Sequence, residues 1–496
     1  MYPTLKQLNW PQIEAEILAF WEQESVFQQS VDQREGAPSF TFFEGPPSAN
    51  GMPGIHHVMA RAIKDIFCRY KTQQGFRVAR KGGWDTHGLP IELQVEKRLG
   101  IKKEDIGTKI SMEDYNKECR ADVLMFKDRW DELTKQIGYW VDLDHPYITY
   151  ENNYIESLWH LLKQLHQKGY LYKGYTIQPF SPAAGTGLSS HELNQPGTYQ
   201  NVKDTTIVAQ FQVQGTEDEY FLAWTTTPWT LPSNTALAVG KDIDYDQIET
   251  FNTYTGAKIK VTLASALVGK YFSAEGAEVL LDSYTPQQKI LPWRKLNTRK
   301  GSELDGTRYN QLLPYAQPEE GDAFRVVIGD FVSTEDGTGI VHIAPSFGAD
   351  DFKTARENGI GALTLVDKKG KFLACVTDFA EEFVKEAYLS EEEKAAEAQK
   401  QGRDKYLSVD ERIAIKLKQE NKAFKVEKYE HTYPHCWRTD KPILYYPLES
   451  WFVRTTAVKD RLVELNKTIN WKPASTDRKS TRLNSSHANI SYAVFC

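Results

Sequence analysis

Two short runs hold the residue types from which a nucleotide-handling site can be built. The first is Phe42-Phe43-Glu44-Gly45-Pro46-Pro47-Ser48-Ala49-Asn50-Gly51-Met52-Pro53-Gly54-Ile55-His56-His57. It carries an apolar stretch into a loop of glycine and proline that ends on two histidines. The second, Gly83-Trp84-Asp85-Thr86-His87-Gly88-Leu89-Pro90-Ile91-Glu92, frames a lone acid between glycines. Imidazoles beside the free amides of a helix N-terminus attract phosphate, and a carboxylate in a neighbouring loop can hold an ammonium group. These parts suit a nucleotide held beside a small ammonium-bearing substrate.

The elements that must position them follow from spacing. Ser39 to Phe43 is a short β-prone run, and the glycines and prolines after it forbid regular structure until His57. Ile63, Ile66, Phe67 and Tyr70 recur at helical spacing, which predicts a helix from near His57 with those four as its core face. Strand, phosphate loop and helix in that order make the nucleotide-binding half of a parallel α/β sheet, although loops of this composition are most often plain turns. Phe76 to Arg80 reads as a second strand. Two parallel strands joined by one helix set their C-terminal loops side by side, bringing Asp85 towards Pro46 and His57. The alternative for Asp85 is to cap a helix that starts around Leu89.

A second constellation lies further on. Trp224-Thr225-Thr226-Thr227-Pro228-Trp229-Thr230 puts hydroxyls at the end of a strand, and Gly337-Thr338-Gly339-Ile340-Val341-His342-Ile343-Ala344-Pro345 leads to Gly348-Ala349-Asp350-Asp351. Hydroxyls, a histidine and an acid can bind a ribose and an ammonium while placing a water for ester hydrolysis. Threonine runs are otherwise ordinary strand.

The texture of the chain divides around these segments. Leu5 to Phe27 reads as an amphipathic opening with Ile13, Ile17, Leu18, Phe20 and Trp21 on one face. Met112 to Trp140 and Tyr154 to Lys168 read as long helices, the second with Ile155, Leu158, Trp159, Leu162 and Leu165 as a core stripe. β-rich segments such as Thr205 to Val213, Glu219 to Trp224 and Phe324 to Phe331 follow. A charged helical stretch, Leu389 to Gln419, precedes apolar pieces at Ile443 to Phe452. The order fits an α/β fold: a Rossmann-type parallel-sheet domain interrupted by an inserted β-rich, barrel-like domain. Its boundaries fall at 1–200 for the first half, 201–390 for the insertion and 391–476 for an incomplete return, with 477–496 a Ser/Asn/Arg-rich tail.

The 496 residues are 40% hydrophobic and 26% charged, with a net charge of -7. That length allows two or three domains with substantial cores. The charge argues against indiscriminate nucleic-acid binding, while Arg61, Lys64, Arg69, Lys71, Arg77, Arg80 and Lys81 form a local basic run that is either a solvated face or a phosphate contact. No stretch of about 18 apolar residues and no signal-peptide pattern occurs, which predicts a cytoplasmic protein without membrane contact. Cys68, Cys119, Cys375, Cys436 and Cys496 lack framework spacing, as expected in a reducing compartment.

The pair of loops resembles the class I aminoacyl-tRNA synthetases, and the second loop the isoleucine enzymes among them. The resemblance implies ATP-dependent activation of isoleucine with Mg²⁺ and its transfer to tRNA(Ile), by a chain expected to be monomeric. It implies that Pro46 lines the aliphatic pocket, that Asp85 holds the substrate ammonium, and that Gly54, His56 and His57 form the ATP site with the two histidines catalytic. The family tetrapeptide is His-Ile-Gly-His or close to it, whereas this chain reads Gly54-Ile55-His56-His57; His56 is expected to supply the phosphate contact missing at Gly54. The threonine run and the His342 segment resemble the family's editing domain, which implies a hydrolytic pocket of Thr225, Thr226, Thr227, His342 and Asp351, the last holding the ammonium of misattached valine. Discrimination by one methylene, for which the isoleucine enzyme is the standard illustration, is limited to about 1–3 kcal/mol, so a second, size-excluding site has a purpose.

Relatives often carry a zinc knuckle of two Cys-x-x-Cys pairs. Here the matching positions are Ser181, Ala184, Cys436 and Thr439, so no zinc and no other bound metal is expected. The family's Lys-Met-Ser-Lys-Ser pentapeptide is not found in these residues, its loop and the anticodon-reading helical domain are expected to be missing from this chain, and the resemblance is read to stop near 476. The tail from Asp477 is similar to translated adapter sequence, so the chain is expected to be a fragment with little synthetase activity. A free-standing editing deacylase and a non-catalytic nucleotide-binding module are the alternatives.

Overall fold

A computed structural model of the protein describes residues 8–472 with the exception of Phe43, Gln287 and Lys289. The segment 477–496 lies outside the described residues. The fold is mixed α/β and has two compact units. One comprises the chain as far as Tyr172 together with that from Phe452, the other Lys173–Trp451.

In the first unit, α1 (Trp10–Gln23), α2 (Val26–Asp32), α3 (Ile55–Gln73), α4 (Leu89–Leu99), α5 (Met112–Val123), α6 (Lys127–Gln136) and α7 (Asn152–Gln167) accompany the parallel strands β1 (Lys81–Trp84) and β2 (Asp142–Ile148). The strand expected over Ser39 to Phe43 reduces, at its described residues, to one parallel bridge between Ser39 and Arg77, and Phe76 to Arg80 carries only that bridge. A ladder forms where a partner offers amides and carbonyls. The partner β2 meets this part of the chain only from Arg80 on, where the Asp142 amide donates to the Arg80 carbonyl at 2.9 Å.

The expected core face of α3 is also corrected. Ile63, Ile66, Phe67 and Tyr70 are 53%, 66%, 57% and 55% exposed, and the buried residues of the helix are Arg61, Cys68 and Thr72. The helix docks through a polar face. Arg61 donates to the Thr134 hydroxyl at 2.7 Å and lies over the Trp130 ring, while the fully buried Arg80 meets Asp65 at 2.9 Å. Two members of the basic run are therefore internal, neither solvated nor free for phosphate.

The long helix expected from Met112 to Trp140 is broken into α5 and α6. At the break the Phe126 amide donates to the Ala49 carbonyl at 2.9 Å, so the interruption anchors the histidine loop. On α7 Trp159 is exposed and the other residues of its stripe are half-buried, and α1 has no buried residue. Trp21 of α1 packs edge-on against Trp140 with ring centres 5.2 Å apart.

The second unit contains β3 (Leu171–Ser181), β4 (Thr186–Gly187), β5 (Tyr199–Gln212), β6 (Glu219–Thr225), β7 (Ala236–Val239), β8 (Asp244–Phe251), β9 (Lys258–Ala264), β10 (Arg294–Lys300), β11 (Arg325–Ile328), β12 (Ile340–Ile343), β13 (Ala423–Cys436), β14 (Lys441–Pro442) and β15 (Leu444–Val453). A small sheet runs β15-β3-β4, and a ten-stranded mixed sheet follows the order β10-β8-β9-β6-β12-β7-β11, with β5 on β6 and β13 on β5. β6 is the branch point. One edge pairs with β5, and the other is shared between β9 at Glu219 to Phe221 and β12 at Trp224. Isolated bridges join Val213 to Tyr309 and Arg308 to Arg325, but no continuous ladder closes a barrel among the described residues.

Alternation explains why β5 and β6 sit at the centre. Ile207, Ala209 and Phe211 face one core with Leu237 and Ile340, whereas Val208 faces a second with Leu222, Ile248 and Val261. A strand buried on both faces reads as a continuous apolar run. The helix Val409–Gln419 covers the first core with Ile413 and Leu417. Among the described residues no helix is long and apolar enough to cross a membrane.

Candidate functional site

The first unit holds the histidine loop and the Asp85 loop. Gly54 is the N-cap of α3; its amide donates to His57 Nδ1 at 2.9 Å, and the His57 amide donates to the Gly54 carbonyl at 3.0 Å. An Nδ1 that accepts leaves the proton of the neutral ring on Nε2. Burial, His56 and Arg61 all lower the His57 pKa, which keeps the ring neutral at pH 7. The His56 ring lies against it with centres 3.8 Å apart and planes tilted by 44°. A Cβ at residue 54 would lie 2.8 Å from His56 Cε1, so glycine there is what lets the His56 ring fold back over the cap.

Aromatic residues hold this loop in shape. Trp130 Nε1 donates to the Gly51 carbonyl at 2.8 Å, and its ring meets His57 edge-on at 4.7 Å. The Tyr147 hydroxyl donates to the Glu44 carbonyl and the Tyr139 hydroxyl to the Glu44 carboxylate, each at 2.8 Å. The Asp85 amide donates to the Pro47 carbonyl at 3.0 Å, which ties the two loops together beside Pro46. Asp85 does not cap α4: the N-cap is Gly88, with no side-chain capping bond. Its carboxylate is exposed. The geometry thus groups Pro46 with Asp85, and Gly54 with His56 and His57; no hydrogen bond joins Asp85 to His57 among the described residues.

The second unit holds a cavity of about 420 Å³ lined by Thr225, Thr226 and Thr227 at the end of β6, by His342 on β12 and by Asp351 in the first turn of the helix Ala349–Glu357. β6 and β12 touch in register only at Trp224 and Val341, and the space opens past that point. Gly339 turns the chain at φ +72°, where a Cβ would lie 2.3 Å from that of Ala264. The Thr227 amide donates to Thr225 Oγ1 at 3.1 Å, and the Thr230 hydroxyl to the Thr227 carbonyl at 2.8 Å. His342 Nε2 lies 2.9 Å from Thr230 Oγ1 and Nδ1 lies 3.3 Å from Asn234 Nδ2.

Burial sets the charges. It pushes the His342 pKa down to about 4, so the ring is neutral. It pushes Asp351 up to about 7, with Asp350 adding to the shift, against a hydrogen bond from the Ala344 amide at 2.8 Å. A carboxyl that ionises near neutrality, beside hydroxyls and a neutral imidazole, can bind an ammonium and order a water.

The sequence had put Thr230 in the hydroxyl run without a role of its own, and had not singled out Asn234 or Tyr309 for this site, nor Trp130 for the first. Asn234 carried a signal, because it follows Pro232-Ser233 in a turn where an amide commonly bonds backbone. Tyr309 carried none: it lies in an irregular segment and is buried by contacts from distant strands.

Residues 16–491 match the family model for tRNA synthetases class I (I, L, M and V), an interval that runs past position 476. The isoleucine--tRNA ligase of Cytophaga hutchinsonii is 64% identical over 485 residues, covering 95% of this chain and 44% of its own length. Those of Bacteroides fragilis and Porphyromonas gingivalis are 57% identical over 493 residues and 56% over 497, each covering 95% of this chain and 43% of theirs. The chain therefore spans less than half the length of these curated relatives.

Proposed function

The chain belongs to the class I tRNA synthetases (I, L, M and V), and from that premise we propose that it carries the isoleucine-binding part of an isoleucine–tRNA ligase together with the site that hydrolyses mischarged valine. The observation that carries the reading is the junction of Asp85 with Pro47, which sets a solvent-facing carboxylate beside Pro46 in a protein 64% identical to a ligase of that name.

Pro46 and Asp85 bind isoleucine, the carboxylate pairing with its ammonium. Gly54, His56 and His57 suit the ATP phosphates: the His57 Nε2–H and the free amides at the start of α3 are donors, and the folded-back His56 ring covers the cap. Mg²⁺ would arrive on the phosphates, as is usual for that ion. In the ligase reaction the isoleucine carboxylate attacks the α-phosphorus, pyrophosphate leaves, and the acyl group then passes to a ribose hydroxyl of tRNA(Ile) as AMP departs. The chain's own contribution is positioning, which for phosphoryl chemistry is a large part of the barrier.

Residues 201–390 are read as an inserted, barrel-like editing domain, supported by the bridges that hang Arg308 and Tyr309 between β5 and β11. In its cavity Asp351 pairs with the ammonium of valine esterified to tRNA, and Thr225, Thr226 and Thr227 face the ribose. Water adds to the ester carbonyl and the ribose oxygen leaves, freeing valine and tRNA. His342, neutral and bonded on both nitrogens, orders the threonine shell.

A zinc knuckle does not fit. The Ser181 hydroxyl accepts the Ala184 amide at 3.2 Å, and Cys436 brings the one thiol of the four positions. We place the protein in the cytoplasm, as a monomer; the free thiols of Cys68, Cys119, Cys375 and Cys436 suit a reducing compartment.

The test uses the full 496-residue chain. Hydrolysis of valyl-tRNA(Ile) but not isoleucyl-tRNA(Ile), abolished in Asp351→Ala, is expected, with isoleucine binding lost in Asp85→Ala. Hydrolysis without isoleucine binding would leave a deacylase, and absence of both would overturn the reading.

A further inference from the structure

We propose that Tyr309 is a positioning residue: by donating to the Asn234 amide oxygen it holds that amide in the orientation the Ala236 carbonyl selects, and so keeps His342 as the Nε2–H tautomer. Asn234 is 1% exposed. Its amide nitrogen lies 2.9 Å from the Ala236 carbonyl, a group that can only accept, so the nitrogen must occupy that side of the amide. The amide oxygen then faces the Tyr309 hydroxyl at 2.6 Å, and the hydroxyl donates to it. Tyr309 is itself buried between Phe211 and Phe324, with edge-on ring contacts at 5.4 and 6.2 Å, so its hydroxyl cannot swing away.

The same amide nitrogen lies 3.3 Å from His342 Nδ1 and 3.5 Å from the Ile343 carbonyl; an amide nitrogen only donates, so Nδ1 accepts. A neutral imidazole has one proton, so it sits on Nε2. On that side Thr230 Oγ1, at 2.9 Å, has already given its proton to the Thr227 carbonyl and is left as the acceptor. Along the chain Tyr309–Asn234–His342–Thr230–Thr227 each donor faces an acceptor, the second Asn234 proton being shared between His342 Nδ1 and the Ile343 carbonyl, and reversing any link puts two protons or two lone pairs face to face. His342 then has no free nitrogen with which to take a proton from water. Its part is to hold Thr230, and through it the turn that presents Thr227 to the cavity.

The tautomer is a statement about the folded protein, and only the activity arm of its test rests on the editing reading. The full chain is labelled with ¹⁵N-histidine, and the His342 resonances are found by difference from His342→Gln. In the wild type, long-range ¹H–¹⁵N spectra are expected to give a protonated Nε2 and an unprotonated Nδ1; the reverse pattern would overturn the proposal. Tyr309→Phe removes the hydroxyl alone and is expected to mix the two tautomers, whereas an unchanged His342 pattern would remove Tyr309 from the role. Asn234→Asp puts an acceptor opposite Nδ1 and is expected to move the proton there; retention of Nε2–H would again overturn it. In the activity arm, Tyr309→Phe lowers kcat for valyl-tRNA hydrolysis at least about fivefold with KM little changed, the size of one lost hydrogen bond. A wild type that hydrolyses nothing would sink the editing reading and leave the spectra to decide the tautomer.

Discussion

The backbone amide of Trp229 donates to the carboxylate of Asp410, 2.8 Å away and 181 residues further along the chain. Asp410 sits in the first turn of the helix Val409–Gln419, and Trp229 opens the 3₁₀ turn Pro228–Ser233 that carries Thr230. The helix that follows the β-rich segment thus fastens the turn beside the cavity. Buried Lys385 stands close by, held to Asp204 at 2.9 Å. Burial pushes the Asp410 carboxyl up to about 7 against the pull of the Lys385 ammonium, with the Asp204 charge adding to the rise.

Asp410→Ala is expected to leave the buried Trp229 amide without an acceptor, at a cost of about 1–3 kcal/mol. Thermal unfolding followed by circular dichroism reads that cost. Asp410→Asn keeps an oxygen at the same place and should recover most of it. Equal losses for the two variants would show that the charge matters and the amide contact does not.

Asp351 gives a pH dependence whose sign is fixed. Its carboxyl moves from an ordinary 3.8 to about 7, so it is protonated below that pH and can pair with an ammonium only above it. Hydrolysis of valyl-tRNA at low substrate should rise with pH along a limb centred near 7, and Asp351→Asn should lose that limb. Because the folded state binds this proton more tightly than the unfolded state, wild-type stability falls between about pH 4 and 7 relative to Asp351→Asn. A limb that persists in the Asn variant would assign the titration to another group.

In the first unit Asp65 holds Arg80 at 2.9 Å, and Arg80 is shut off from solvent. The same carboxylate takes Arg69 from the opposite side, over the Trp140 ring. Asp65→Ala strands a buried cation, and breaking such a pair costs about 3–5 kcal/mol. Denaturant unfolding watched by tryptophan fluorescence should show a midpoint shift of that size. The double variant Asp65→Leu with Arg80→Met should be less damaged than Asp65→Ala alone, since both charges leave together.

These relationships mark where the sequence was readable. The β-rich segments declared themselves because their apolar residues are the ones buried, whereas the charged stretch Leu389 to Gln419, expected to be helical, divides into the helices Glu391–Lys400 and Val409–Gln419. The threonine run and the His342 segment were paired by their resemblance to the family's editing domain, and both line one cavity. Helix α3 misled for the opposite reason: Ile63 and Ile66 have perfect helical spacing but face outward, and the helix is seated by Arg61 and Asp65, whose partners Thr134 and Arg80 no periodicity could supply. Tyr309 was out of reach in the same way, since its role depends on which side of an amide faces it.

The altered signature Gly54-Ile55-His56-His57 makes a last prediction. A side chain at residue 54 and the His56 ring compete for one place, the Cβ position falling 2.8 Å from Cε1. Gly54→Ala should therefore push the His56 ring off its tilted contact with His57, and His56→Ala should abolish the same contact. If one contact is at stake in both, the double variant loses no more than either single one. The coupling read from denaturation should be about 0.5–1.5 kcal/mol, the usual worth of a ring pair. ATP affinity measured by calorimetry should follow the same cycle, because the His56 ring lies over the helix cap that we propose binds the phosphates. Losses that simply add would mean that Gly54 and His56 are independent, and that the glycine is there for room alone.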